Sequence, residues 1–238
     1  MDPDEIIQKF GADTARLFIL FAAPPGNDLE WSEQGVEGVH RFLNRVWRYI
    51  EENFEGLKNA SMERVEMGSL VNKDRRDFKR KIHKTIEDVT RDIQEERQFN
   101  TAVARLMELL NSIYSCSPKD EKDWGLLREG VEVLLMCLNP FCPHITEELW
   151  QMLGNQNRLA LSAWPIKDES ALVLDSVTVV IQVNGKVRHK IDLPAGLSKE
   201  ELQQKTLNEP TIQKRIEGKD LVKVIVVPDK LVNVVVKE

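Results

Sequence analysis

The chain has 238 residues, 33 Lys+Arg against 39 Asp+Glu for a formal net charge of −6, and is 42% hydrophobic and 30% charged. That balance is globular and supports one large core, or a medium and a small one. It excludes a helix across a bilayer, since no apolar run approaches the roughly 18 residues required; MDPDEIIQKF is too acidic and mixed for a secretory signal.

Three cysteines, Cys116, Cys137 and Cys142, lack disulfide-framework spacing and fit a reducing cytoplasm. The charge is uneven. From Val177 onward eleven Lys/Arg face eight Asp/Glu, or +3, which leaves 22 against 31, or −9, for the rest. A basic end on an acidic body hints at a polyanionic partner.

In chain order, residues 4–10 read as a short helix stopped by Gly11. Asp13 is placed to cap a helix over Thr14–Ala22, which Pro24-Pro25-Gly26-Asn27 ends before the loop Asp28-Leu29-Glu30-Trp31. A long helix follows from Gly35 to about Phe54, with Val39, Phe42, Leu43, Val46 and Ile50 at buried-face spacing. Arg41, Arg45 and Arg48 form a second stripe on it. They suit either a solvated face or a groove for nucleic-acid phosphates. Residues 56–73 read as a loop.

Asp74 to about Arg97 is helical, with Phe78, Ile82, Ile86, Val89 and Ile93 inward. Its charge order opposes the helix dipole: cations crowd the start and carboxylates the end. Either an external partner or acidic neighbouring helices must compensate. Asn100 or Thr101 caps a helix to Tyr114, and Lys122–Leu138 is the next. Pro140 and Pro143 then turn the chain into a helix over His144–Leu153 that buries Ile145, Leu149 and Trp150. Helices of this number and spacing form an antiparallel bundle. Residues 155–176 are irregular, with Trp164-Pro165 as a docking point.

The period then changes to two. Val177–Val183 and Lys186–Leu193 read as a hairpin around Asn184-Gly185. A two-residue turn would mix Lys186, Arg188 and Lys190 into the apolar face. A three-residue loop pairs Gln182 with Lys186 and Ile181 with Val187, and gathers the cations on one face. Ser198 and Glu201 make a capping box, Pro210 opens a second short helix, and strands follow at Leu221–Val227 and Leu231–Val236. The fold class is therefore mainly α, a helix bundle followed by a small α+β domain of order ββααββ. Its parts are residues 1–34, 35–168 and 177–238.

Cys137, Cys142 and His144 have a loosely metal-like spacing, but paired CxxC ligands are absent and Cys137 sits in an apolar run, so core cysteines are expected and no metal site. Phosphate-binding glycine loops and catalytic constellations are absent. Lys186, Arg188 and Lys190 are the leading functional candidates, as cations that can track a phosphate backbone. Lys214, Arg215 and Lys219 are read as extending that patch. The alternative is an edge strand guarded by lysines against aggregation.

Four stretches resemble bacterial-type leucyl-tRNA synthetases, which are class I aminoacyl-tRNA synthetases: GADTARLFILFAAPPGNDLEWSEQGVEGVHRFLNRVWR (Gly11–Arg48), FNTAVARLMELLN (Phe99–Asn111), LNPFCPHITEELW (Leu138–Trp150) and IQVNGKVR (Ile181–Arg188). The third is shared with the isoleucyl and valyl enzymes. The resemblance implies that residues 1–34 follow the family's KMSKS loop, that 35–168 are its helical anticodon-binding domain, and that 177–238 are the C-terminal domain that reaches the tRNA elbow. The H-x-G-H and KMSKS motifs are absent. On this resemblance the chain is the tRNA-binding C-terminal portion of a leucine–tRNA ligase. Catalysis, editing, ATP and Mg then belong to sequence upstream. The expected partners are tRNA-Leu and the catalytic domain of the same chain, with no membrane, in a cytoplasmic monomer. The alternative is a structural brace for the catalytic core without independent tRNA binding.

Overall fold

A computed structural model describes residues 3–22, 32–61, 63–173 and 176–237. The predicted Pro24–Asn27 turn and Asp28–Trp31 loop lie outside them. The chain divides into two units, 1–172 and 173–238.

Unit 1 is helical: α1 (Pro3–Phe10), α2 (Ala12–Ala22), α3 (Glu33–Glu52), α4 (Phe54–Asn59), α5 (Lys73–Gln94), α6 (Phe99–Tyr114), α7 (Glu121–Leu138), α8 (Pro143–Met152) and α9 (Glu169–Leu172). The predicted apolar faces are the core. Val39, Phe42, Leu43, Val46 and Ile50 of α3 are buried with Phe78, Ile82, Ile86 and Val89 of α5 and Leu106, Leu110 and Ile113 of α6. Ile6, Leu17 and Phe18 belong to the same core, so α1 and α2 fold as part of this unit.

Several boundaries differ from expectation. Ser32 caps α3 by accepting the Gly35 N–H, and the helix begins at Glu33. The 56–73 stretch is not all loop: it holds α4 and a 3₁₀ turn at Met67–Ser69. Leu57 is fully buried. Burying such a side chain is worth roughly 1.5–3 kcal/mol, enough to hold a helix too short to show a period. Neither Asn100 nor Thr101 caps α6, which starts at Phe99 without a side-chain cap. Phe99 packs edge-on to Phe141 with ring centroids 6.4 Å apart, drawing the helix start back.

Asp13 does not cap its own helix, which begins one residue before it. It caps α8. Cys142, at the N-cap of α8, makes no side-chain bond there, and Pro143 has no N–H. The free N–H groups of His144 and Ile145 reach Asp13 Oδ1 at 3.4 Å and Oδ2 at 2.7 Å. Three residues on, Arg16 donates to the carbonyls of Pro140 at 3.1 Å and Phe141 at 3.3 Å. The double-proline corner is thus held from α2.

The irregular stretch after α8 packs back on the bundle. Glu147 accepts the Leu159 N–H at 3.0 Å, at a 3₁₀ turn spanning Leu159–Leu161. Trp164 Nε1 donates to Thr90 Oγ1 at 2.8 Å, and Pro165 is buried, so the predicted docking point holds.

Unit 2 runs β1 (Ser176–Val183), β2 (Lys186–Pro194), α10 (Lys199–Leu207), α11 (Pro210–Ile216), β3 (Asp220–Val227) and β4 (Leu231–Lys237). The sheet order is β2-β1-β4-β3, with β1 and β4 parallel and the outer pairs antiparallel. Helices α10 and α11 cover one face. Leu202 packs with Val177, Val179, Leu193 and Val232, and Ile212 with Ile181, Val183, Val234 and Val236. The Ser198–Glu201 capping box is present.

The hairpin register corrects the sequence reading. The turn is the two-residue one: Val183 pairs with Lys186, and Asn184 and Gly185 have φ of 50° and 77°. Two positive φ values at an Asn-Gly pair suit the right-handed twist of the flanking strands. The face conflict is removed by a bulge. Gln182 pairs with Val187 but Ile181 with His189, so Arg188 is an extra residue. Beyond it Val179 faces Ile191 and Val177 faces Leu193, which restores the apolar side.

Candidate nucleic-acid interface

On α3, Arg41, Arg45 and Arg48 do share one stripe, as their spacing of four and three requires. Arg41 and Arg48 are exposed and meet Glu37 and Glu52 at a loose 3.9 Å. Exposed pairs of that kind contribute little, about 0–1 kcal/mol, and can exchange partners readily. Arg45 is held differently. Its Nη2 donates to Asn111 Oδ1 at 2.8 Å, and its guanidinium lies 4.9 Å from the Tyr114 ring centre. The Tyr114 hydroxyl donates to the Arg45 carbonyl at 2.9 Å. Tyr114 and Asn111 thus set the aim of Arg45 from α6. Both read as ordinary helix positions in sequence, and no local signal marks them.

The basic start of α5 follows the second of its two readings, compensation by acidic neighbours. Its cations face carboxylates of the same unit. Arg75 donates to Asp123 at 2.7 Å and Asp120 at 2.6 Å. Lys81 reaches Glu108 at 2.8 Å and holds that carboxyl below its usual range. Lys84 reaches Glu87 and Asp88, and Arg80 reaches Asp77. Arg76 donates to the carbonyls of Leu70 and Val71. The reversed charge order is therefore compensated inside the bundle, which removes the argument for α5 as an external phosphate contact.

Deeper on α5, Lys79 and His83 are buried against Glu129 of α7. Lys79 Nζ lies 3.1 Å from Oε2, and His83 Nε2 lies 3.2 Å from Oε1 though off the ideal hydrogen-bond direction. Burial alone would raise the Glu129 carboxyl. His83 and Lys79 outweigh it and hold the group below its ordinary value. His83 Nδ1 accepts the Asp168 N–H at 3.1 Å, tying the segment before α9 to the bundle.

In unit 2, Lys186, Arg188, Lys190, Lys214, Arg215 and Lys219 are all exposed. They do not form one face. Lys190 pairs with Val180 on the side away from the helices, Lys186 sits at the turn, and Arg188 is the bulge residue. The expected i, i+2, i+4 row assumed an unbroken strand. What the fold gathers instead is an end. Ile212 and Ile216 of α11 pack with Val183 and Val236, so Lys214, Arg215 and Lys219 lie at the hairpin-tip end of the unit with Lys186. Lys237, paired with Asp220 in the β3–β4 ladder, ends at the same side and was missed for want of a register. Among the described residues, no ion pair involves Lys186, Arg188, Lys190, Lys214 or Arg215.

The tip is stapled. Asn184 Nδ2 donates to the Val236 carbonyl at 3.0 Å, and its Oδ1 accepts the Val236 N–H at 2.9 Å. Asn233 Oδ1 accepts the Gly185 N–H at 3.1 Å. These bonds continue the β1–β4 ladder past the end of the strand and hold the turn that precedes Lys186.

Of the remaining candidates, the two cysteines resolve as packing. Cys137 and Cys142 are fully buried, and burial pushes the Cys137 thiol up to about 12. His144 is exposed, with Nδ1 2.8 Å from Asp13 Oδ1. Among the described residues, no His/Cys/Asp/Glu group has the arrangement to hold a metal ion, and no helix is long and apolar enough to cross a membrane.

Residues 75–203, more than half of the chain, match the family model described as the anticodon-binding domain of tRNA ligase. The chain is 47% identical over 236 residues to a leucine–tRNA ligase of Cyanothece sp. (strain PCC 7425 / ATCC 29141), covering 99% of this chain and 27% of that protein. A leucine–tRNA ligase of Thermosipho melanesiensis is 46% identical over 239 residues, covering 100% and 29%. The chain thus spans somewhat over a quarter of the length of these curated relatives. Among solved structures, the ternary complex of Agrobacterium radiobacter K84 agnB2 LeuRS-tRNA-LeuAMS superposes with a TM-score of 0.86 at 28% identity, covering 100% of this chain and 30% of that one.

Proposed function

The chain belongs to the family of tRNA-ligase anticodon-binding domains, and on that premise we propose that it is the tRNA-binding portion of a leucine–tRNA ligase. Its relatives by sequence are leucine–tRNA ligases. The observation that carries the reading is that Lys186, Lys214 and Arg215, exposed at the hairpin-tip end of unit 2, make no ion pair among the described residues. Arg41, Arg45 and Arg48 on α3 supply a second basic stripe. Recognition there is by phosphate and shape, as for folded RNA generally.

The same reading takes tRNA-Leu and the catalytic domain of a longer ligase as partners, and the protein as a cytoplasmic monomer. Residues 1–34 then lead from the catalytic core, 35–168 act as the anticodon-binding domain and 177–238 hold the tRNA elbow. ATP and Mg act with the catalytic domain, outside this chain.

A gel shift with tRNA-Leu tests the proposal. Wild type should bind at low salt, and alanine at Lys186, Arg188 and Lys190 together should weaken binding at least ten-fold. Losing those contacts should flatten the dependence of log K on log salt by about 2, at roughly 0.7–0.9 per phosphate. Equal binding by both proteins would remove the hairpin from the interface. The second reading, a brace for the catalytic core, is favoured by the internal pairing of the α5 cations. It predicts a folded chain with no detectable tRNA binding at low salt.

A further inference from the structure

The face of the unit-2 sheet opposite α10 and α11 is the feature that the fold leaves uncovered. The register defines it. Val179 with Ile191, and Val224 with Val234, point to the helices, so their neighbours point away. Two complete rows cross all four strands on this open side. One is Val187, Gln182, Asn233 and Ile225; the other is Lys190, Val180, Leu231 and Val227.

A sheet face that remains in water normally carries polar side chains at these positions. Here five of the eight are aliphatic, and Val187, Ile225 and Val227 are 55%, 42% and 38% exposed. The charge on the face is mostly positive. Lys190 and Lys223 lie on it, and Lys223 pairs with Val235 beside Ile225. Lys237 stands on it too, opposite Asp220 in the β3–β4 ladder, and the other carboxylate of the face, Asp192, accepts a 2.6 Å hydrogen bond from Thr178. Aliphatic surface among lysines, with the Gln182 amide between them, suits a polyanion that also offers flat, weakly polar surface. Folded RNA has both: phosphates for the lysines, and ribose and nucleobase faces for the valines and isoleucine.

We infer that the open sheet face, and not only the hairpin tip, is a tRNA-binding surface. The inference rests on the tRNA-binding reading above and deepens it by assigning a face. It separates two contributions that salt can distinguish. Lysine–phosphate contacts weaken with salt, and aliphatic contacts do not.

The test uses the full chain and a folded tRNA-Leu transcript, titrated at several salt concentrations. The double variant Val187→Thr/Ile225→Thr keeps β-branched side chains and strand preference. It should weaken binding at least five-fold at every salt and leave the salt slope unchanged. Lys190→Gln/Lys223→Gln should instead flatten the slope, by about 1.5. If the wild type binds and the threonine variant, folded by circular dichroism, binds equally, the face is overturned while the tRNA reading stands. If the wild type does not bind at low salt, both fall.

Hydroxyl-radical oxidation of the wild-type protein is an independent readout that needs no variant. Slower oxidation of Val187 and Ile225 on adding tRNA supports the face. Unchanged oxidation overturns it, as does protection that grows with protein concentration in the absence of RNA, which would assign the face to a second copy of the chain.

Discussion

The carboxylate of Asp13 on α2 and the backbone N–H of Ile145 on α8 meet at 2.7 Å, joining the first and last long elements of the helical unit across 132 residues of chain. Asp13 thus does for α8 what its own N-cap residue does not. A helix start lacking a side-chain oxygen leaves N–H groups unsatisfied, and here they are satisfied from another helix. Asp13→Ala should destabilise the unit by about 1–2 kcal/mol, the scale of a lost N-cap. Thermal melting against the neighbouring substitution Ala12→Ser, which removes no cap, checks this; equal midpoints would show that the tertiary cap is energetically idle.

Gly56 lies against the Trp124 indole. A Cβ at position 56 would sit 2.3 Å from Cη2 and 2.4 Å from Cζ3. No carbon fits there without moving a rigid ring. Gly56→Ala should therefore cost about 1–3 kcal/mol through overpacking. Trp124→Leu in the same chain should recover part of that loss, because it clears the space. Urea midpoints of the two single variants and the double variant measure the coupling, and strict additivity would refute the clash.

The Lys79–Glu129 pair is buried on both sides. Glu129→Ala leaves an ammonium ion without its carboxylate and should destabilise by about 3–5 kcal/mol. Replacing both, as Lys79→Met with Glu129→Leu, should cost far less, since no buried charge is left uncompensated. A double-mutant cycle by chemical denaturation gives the comparison. A double variant as unstable as Glu129→Ala would mean that the charges themselves supply the net stability.

Glu87 receives Lys167 at 2.7 Å and Lys84 at 2.7 Å, and these two hold its carboxyl down at about 2 against an ordinary 4.5. A depressed carboxyl contributes stability above its unfolded pKa and loses it as the pH falls towards the folded one. Wild type should thus be more stable than Glu87→Gln at pH 6, and the gap should close between about 4.5 and 2. The site is partly exposed, so added salt should narrow the gap at pH 6. Melting curves across that range decide it; a gap undiminished at pH 2.5 would assign the effect to packing.

Much of the architecture was legible in the sequence because it is local. Apolar residues at i, i+3, i+4 and i+7 give α3, α5 and α6 their inner faces, and alternation gives the strands of unit 2. The Ser198–Glu201 capping box spans three residues and needs no tertiary information. The double proline stops α7 because the ring removes a donor wherever it sits. The cations at 186, 188, 190, 214, 215 and 219 were visible as residues.

What only the tertiary structure decided concerns pairs distant in the chain. Sequence shows that Asp13 can accept an N–H, but not that the N–H belongs to Ile145. It shows the reversed charges of α5, but not that Asp120, Asp123 and Glu108 neutralise them. It shows Asn184-Gly185, but the bulge at Arg188 is set by which register buries the valines under α10 and α11. A one-residue slip turns every side chain to the other face at no local cost. Packing across the sheet is what makes the registers unequal, so the face on which each cation stands is a property of the fold.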